Sequence, residues 1–345
     1  MKGKYHIIIQ NNRVHYEFDL RRNITIIRGD SGSGKTTLIN MIDLLTSRGT
    51  SSGIEISCSK NCRTLPAADW QIILPLLHDQ IIFLDEDSVF IKSEDFARAV
   101  RQSDNYFVIV TREDLPNLPY SVDEIYGIHA SGKYHDLKRT YNELYRIYEP
   151  SKNIDQTTQT APPVYSESNH HPASGAVSVG MIPDAVVTED SHSGFTFFDH
   201  VCRQNHIQCQ SAGGKSSLRK ELAATQGNVI LGIADGAAIG PEMNELYQLM
   251  VKKGNIRLYL PESFEWLILR SGLIDGKYVQ DILEHPEDFI DSTEYFSWEQ
   301  FFTRLLEEQT HNTYLQYQKS RLNPVYLQEK ELKQILDTIP VRFSE

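Results

Sequence analysis

The stretch Asn23-Ile24-Thr25-Ile26-Ile27-Arg28-Gly29-Asp30-Ser31-Gly32-Ser33-Gly34-Lys35-Thr36-Thr37 decides how the first half of the chain folds. Its opening residues are β-branched and apolar, the composition of a buried strand. The run Thr37-Leu38-Ile39-Asn40-Met41-Ile42-Asp43-Leu44-Leu45 carries apolar residues at helical spacing. Between them, Gly29 to Thr36 fill every fixed position of G-x-x-x-x-G-K-[ST]. A helix N-terminus at that place offers unpaired N–H groups and a partial positive charge. The glycines let the backbone wrap a triphosphate, with Lys35 reaching the β- and γ-phosphates and Thr36 holding Mg²⁺. The expected ligands are ATP and Mg²⁺, bound by Gly29, Asp30, Ser31, Gly32, Ser33, Gly34, Lys35, Thr36 and Thr37.

Downstream, Gln80-Ile81-Ile82-Phe83-Leu84-Asp85-Glu86-Asp87 reads as a buried strand ending in acids, the Walker B pattern. Its end would bring Asp85 to the Mg²⁺ shell, and Glu86 would orient or deprotonate an attacking water. A third apolar run, Tyr106-Phe107-Val108-Ile109-Val110, ends in Thr111-Arg112. A polar group there is placed to sense the γ-phosphate, so Thr111 joins the nucleotide-binding candidates, although a solvated strand end is the plainer reading. A hairpin over 5–20 turning at Asn11-Asn12, a short strand near 54–56 and a helix over 67–77 surround this core. Strands in 121–129 and a helix over 137–148 complete the α/β unit.

Composition bounds the rest. The chain has 345 residues, enough for two domains with separate cores. No apolar run reaches the length of a membrane span, and the N-terminal residues turn polar too soon for an export signal. A cytoplasmic protein is the expectation. The net charge of −12 speaks against a surface built for non-specific duplex binding. Cys58 and Cys62 form a C-x-x-x-C pair, but Cys202 and Cys209 lie far off with no His to finish a zinc set, so reduced thiols are expected.

Residues 1–148 are therefore expected to form the nucleotide-binding domain. The segment 149–182, with Pro162-Pro163, His170-His171 and many Ser and Thr, reads as an exposed linker. From 183 to 345 a strand–helix alternation restarts, with strands near 185–188, 206–210, 228–233 and 256–260, followed by an acidic helical region. Glu189, Asp235, Glu262 and Glu265 fall at C-terminal strand ends, the edge where open parallel sheets place their sites. Such carboxylates suit Mg²⁺-assisted phosphodiester chemistry or, equally, capping of the next helix. Gly213-Gly214-Lys215-Ser216 lacks the first glycine of a second phosphate loop, Cys209 standing in that place.

Taken in order, Val186-Val187-Thr188-Glu189, Ser211-Ala212-Gly213-Gly214-Lys215-Ser216, Ile233-Ala234-Asp235-Gly236-Ala237 and Leu260-Pro261-Glu262-Ser263-Phe264-Glu265 resemble a TOPRIM domain over about residues 184–270. The variants of OLD-family nucleases and of the TOPRIM partners of phage-defence ATPases are nearest. The resemblance implies a catalytic or metal role for Glu189, Mg²⁺ binding by Asp235 and Glu265, and a phosphate contact for Lys215. Two positions depart from it: Ala237 stands at the second aspartate of D-x-D, and Asp190 where glycine is usual. The first half resembles the compact ATPase heads of the ABC, RecF and OLD group, without their signature sequence or coiled-coil insertion.

The expectation is an α/β protein in which an ATPase head regulates a TOPRIM-like domain that cuts or binds nucleic acid with Mg²⁺, in phage or mobile-element defence. DNA and RNA are both open as targets, no membrane is involved, and a second copy or a protein partner is an open question. Two alternatives stand beside it: an ATP-dependent switch whose TOPRIM-like half only binds, and a P-loop kinase acting on a small acceptor.

Overall fold

Burial alternates along Tyr5–Gln10 (β1) and Val14–Leu20 (β2), which pair antiparallel from Tyr5↔Leu20 to Gln10↔His15. The turn between them is set by Asn11, whose Oδ1 accepts the N–H groups of Arg13 and Val14 at 2.8 and 2.9 Å. The computed structural model describes residues 1–29, 34–130, 139–148, 164–166 and 182–344. They fall into two units: Met1–Ile147 with His285–Phe296, and Tyr148–Glu284 with Ser297–Glu345.

In unit 1, Ile24–Ile27 (β3), Glu55–Ser57 (β4), Asn61–Thr64 (β5), Gln80–Leu84 (β6), Tyr106–Val110 (β7), Ile125–Ala130 (β8) and Thr140–Arg146 (β9) join the hairpin in one sheet. Its order is β4-β1-β2-β9-β8-β3-β7-β6-β5. The strands β8, β3, β7, β6 and β5 are mutually parallel, so the ends of β3, β7 and β6 share one sheet edge. Only Cys58 to Lys60 separate β4 from β5, although these are opposite edges of the sheet. The sheet therefore curls. Within the curl lies Lys35–Arg48 (α1), whose Leu38, Ile39, Met41 and Ile42 share one core with Ile7, Tyr16, Ile27, Phe83 and Val108. Trp70–Ile73 (α2) and Glu94–Arg101 (α3) cover other apolar surface: Trp70 stacks on Phe90, and Phe96 meets Trp70, Phe90 and Phe107 edge-on. The N-terminus is tied down by residues from far along the chain, its ammonium 3.1 Å from Asp291 and 3.0 Å from Ser292 Oγ.

The expected helix over 137–148 is a strand. β9 pairs antiparallel with β8 and parallel with β2, so its backbone groups are satisfied on both sides. Leu, Glu and Arg favour helix only weakly, and sheet pairing overrides them here. Leu137 and Lys138 lie outside the described residues, as does most of the expected linker. Within that linker Val164–Ser166 (β10) is a strand, not open coil.

Unit 2 is built on Ala185–Thr188 (β11), Gln208–Ser211 (β12), Ile230–Ile233 (β13) and Ile256–Leu260 (β14), all parallel in the order β14-β13-β11-β12, with β10 on the outer side of β14. β11 and β13 are buried throughout, as a sheet covered on both faces requires. Ser193–Gln204 (α4), Lys215–Ala224 (α5), Met243–Lys253 (α6) and Phe264–Arg270 (α7) connect and flank the strands. Lys277–Glu284 (α8), Trp298–Thr310 (α10) and Glu329–Leu336 (α11) form the helical extension, while Pro286–Phe289 (α9) belongs to unit 1. Residues 314–323, expected to be helical, contain no helix; two asparagine and threonine turns hold them instead. The class is α/β throughout, and no described helix is long and apolar enough to cross a membrane.

Candidate functional site

At the shared edge of unit 1, β3 delivers Gly29 and α1 begins at Lys35. Asp30, Ser31, Gly32 and Ser33 lie outside the described residues. Gly34 caps α1 with φ of 95°, a left-handed conformation that glycine adopts without strain. Its carbonyl accepts the Tyr16 hydroxyl at 2.7 Å, and a Cβ at Gly34 would meet that hydroxyl at 3.0 Å. The helix start is thus pinned from β2. Tyr16 is buried, which pushes its phenol up to about 12, so it stays a neutral donor. Lys35 is only 4% exposed and donates from Nζ to the Gly29 carbonyl at 2.5 Å. Thr36 and Thr37 stand exposed on the first turn of α1.

β7 lies between β3 and β6, so Thr111 at its end separates the glycine loop from Asp85. The Thr111 N–H bonds Ile27 O at 3.1 Å, and its Oγ1 accepts Glu113 N–H at 3.0 Å, holding the turn after β7. Thr111 is 1% exposed and so acts first as a local brace. Asp85 is partly buried. Burial and, next to it, Asp87 and Glu86 raise its carboxyl, while Glu86 N–H (2.7 Å) and the field of Lys35 lower it. Glu86 is more open and pairs with Arg112, whose Nε stands 3.3 Å away.

In unit 2, parallel β11 and β13 bring Glu189 and Asp235 side by side: Glu189 Oε2 accepts the Asp235 N–H at 3.1 Å. Glu265 enters from the first turn of α7, a helix capped by Ser263, and is 2% exposed. Its Oε1 accepts the Tyr317 hydroxyl at 2.8 Å. Burial raises the Glu189 carboxyl to about 7, with Glu299 adding repulsion. Burial likewise drives Asp235 well above its ordinary value, with Glu299, Glu189 and Glu265 reinforcing the rise. Lys319 is the counterweight: it pairs with Glu299, and its charge lowers both Asp235 and Glu265. Lys215, at the start of α5, bonds Ala238 O at 3.2 Å and stands 3.8 Å from Glu242, and its charge favours ionised Glu189. A cavity of about 20 Å³ lies against Glu189 and Asp235, room for one water-sized species. Asp190 does local work: its carboxylate accepts the N–H of Phe195 at 2.9 Å and caps α4.

Comparisons of the chain with protein-family models, with curated proteins and with solved structures found no match.

The expected trio Glu189, Asp235 and Glu265 is brought to one place, and Lys215 to its rim. A ready metal shell is not: among the described residues no three His, Cys, Asp or Glu side chains are grouped to hold an ion. Glu265 is occupied by Tyr317, and a lysine rather than a free approach faces the acids. Sequence reasoning missed Glu299, Tyr317 and Lys319. Glu299 lies on α10, whereas Tyr317 and Lys319 lie in a segment held against α4 by hydrogen bonds from Ser193 Oγ to Gln318 O (3.0 Å) and Lys319 O (2.9 Å) and from the Ser193 N–H to Lys319 O (3.3 Å).

Proposed function

We propose that unit 1 binds ATP with Mg²⁺ and hydrolyses it, and that its nucleotide state regulates a unit 2 acting on nucleic acid. The observation that carries the reading is the convergence at one sheet edge of Lys35 at the start of α1, Thr111 and Asp85, with Lys35 electrostatically favouring ionised Asp85. The donors suit a hard cation: the Thr36 hydroxyl and the Asp85 carboxylate are oxygen ligands, and Asp85 is short of positive charge beside Glu86 and Asp87. Mg²⁺, when bound, would neutralise charge on the β- and γ-phosphate oxygens. Lys35 would leave the Gly29 carbonyl for the phosphates, since a charge-assisted bond is the stronger one. Glu86 would orient water once released from Arg112.

For unit 2 the acid cluster beside Lys215 supports a phosphodiester as the ligand, cut or only held. The side chains as they stand do not fit a resident divalent ion, because Lys319 and Tyr317 already serve the acids. No chemical step is assigned to a metal there. That arrangement favours the second reading, a unit that binds nucleic acid or a protein without cutting it.

Calorimetric titration of the full chain with MgATP tests the first part. Wild type should bind and Lys35→Ala should lose binding by at least about 100-fold, because no other described side chain of the loop brings positive charge to the phosphates. Equal affinities would remove the nucleotide assignment. A panel of DNA and RNA substrates with and without ATP separates a cutting unit 2 from a binding one.

A further inference from the structure

The pair Cys58 and Cys62 takes no part in either site, and its surroundings are unusual for inert thiols. Both sulfurs bond the backbone of one residue: Cys58 Sγ accepts the Lys60 N–H at 3.4 Å, and the Cys62 thiol points to Lys60 O at 3.7 Å. The two thiols therefore flank one turn, and each shifts the protonation of the other. Cys58 is partly open to solvent and Cys62 is buried. The turn is held on both flanks, the Lys60 ammonium pairing with Asp79 and lying 5.5 Å from the centre of the Tyr5 ring. A cross-link here needs little further ordering of the chain.

We propose that Cys58 and Cys62 form a redox-modification site, converted to an intramolecular disulfide by a low-molecular-weight disulfide such as glutathione disulfide. Cys58 is the attacking thiol. The Cys62 hydrogen bond first, and then the N–H groups of Lys60 and Ser59 and the field of His6, bring its thiol down to about 6 against the opposing effect of burial. Lys60, Tyr5 and Asp79 are the other ionisable groups about the turn. The Cys58 thiolate attacks one sulfur of glutathione disulfide, the S–S bond breaks, and one glutathione leaves as thiolate. Cys62 then loses its proton, attacks the Cys58 sulfur of the mixed disulfide and expels the second glutathione. Two protein thiols are oxidised, one glutathione disulfide is reduced, and the two protons end on the two released glutathiones.

The order of steps follows from what restrains each thiol. Cys62 is held protonated chiefly by the neighbouring Cys58 sulfur, and then by burial. Once glutathione caps Cys58 that restraint is gone, so Cys62 is a resolving thiol released by the first step. The bond would close the turn joining the two edges of the curled sheet, with Cys62 itself in β5 and paired with Ile81 of β6, the strand that Asp85 follows.

The test uses the reduced full chain, incubated over a range of glutathione disulfide to glutathione ratios, quenched by alkylation and mapped by mass spectrometry. Wild type should yield a peptide containing the Cys58–Cys62 disulfide. Cys62→Ala should stop at a Cys58–glutathione adduct, and Cys58→Ser should give neither product. In the reduced protein at pH 6.5, Cys58 should be alkylated about fivefold faster than in Cys62→Ala, the gain in thiolate less its lower nucleophilicity. The proposal is overturned if both thiols stay fully alkylatable at oxidising ratios, or if Cys58 reacts with the pH midpoint of an ordinary thiol, about 8.5. The wild-type comparison and Cys58→Ser keep the test decisive should the buried Cys62→Ala variant not fold.

Discussion

Glu189→Gln should make unit 2 more stable, by an amount that grows from about pH 4.5 and is complete above about pH 7. The substitution keeps an oxygen for the Asp235 N–H, now 3.1 Å from Oε2, and removes only the charge. Glu189 rises from an ordinary 4.5 to about 7, through burial first and Glu299 after it. The folded state therefore holds a proton that the unfolded chain has lost, and stability falls as pH rises through that window. At about 1.4 kcal/mol per pH unit the ionised form costs the folded unit about 3 kcal/mol, or about 2 kcal/mol once screening on the carboxylate's open side is counted. Urea unfolding of wild type and variant at pH 5 and 8.5 reads this. Trp266 and Trp298 report on unit 2 and Trp70 on unit 1, so fluorescence follows mainly the relevant transition. The variant should gain about 2 kcal/mol at pH 8.5 but only about 0.8 kcal/mol at pH 5, where the unfolded carboxyl is already mostly ionised. No gain at pH 8.5, or the same gain at both, would refute the reasoning.

Three further outcomes follow from the same geometry. Glu86→Gln should retain MgATP binding while slowing hydrolysis about 100-fold in a phosphate-release assay; unchanged turnover would take Glu86 out of its role. Gly34→Ala should destabilise unit 1 by about 1–2 kcal/mol in thermal unfolding, because its φ of 95° and the Tyr16 hydroxyl 3.0 Å from the new Cβ both oppose it. Gly236→Ala should destabilise unit 2 by about 2–4 kcal/mol, since a Cβ there stands 2.6 Å from Leu260 O and 2.9 Å from Pro261 O, backbone atoms that cannot swing aside; wild-type stability would mean that β14 yields.

What the sequence made legible is what local pattern controls. Ile24–Ile27, Gln80–Leu84 and Tyr106–Val110 are mostly apolar and buried almost throughout because they are central parallel strands, and such runs can be seen without knowing their neighbours. The turn at Asn11 was legible for the same reason, since its chemistry is confined to a few adjacent residues. Strand order was not. That β7 lies between β3 and β6 is decided by crossover connections, and no periodicity records it. Thr140–Arg146 was misread because its residues suit a helix about as well as a strand, and only the facing edges of β2 and β8 settle the matter.

The site in unit 2 divides along the same line. Glu189 and Asp235 follow strands that alternate with helices, so the rule that parallel strand ends converge was enough to bring them together. Lys319 obeys no such rule. It lies in a helix-free segment whose position depends on two carbonyls received by Ser193 and on a threonine, Thr310, that accepts the Tyr317 N–H at 2.9 Å. Yet it opposes the burial and mutual repulsion of the acids, because it supplies positive charge to Asp235 and Glu265 from within the chain. The acids Glu189, Asp235, Glu265 and Glu299 repel one another, and here a lysine side chain offsets part of that charge. A divalent ion would have to displace or share with that ammonium, whereas an anionic phosphodiester would be drawn to it and to Lys215 while being repelled by the acids. On the proposed function, the balance between those two lysines and the acids, rather than the presence of the acids alone, would decide whether unit 2 cuts a phosphodiester or only holds it.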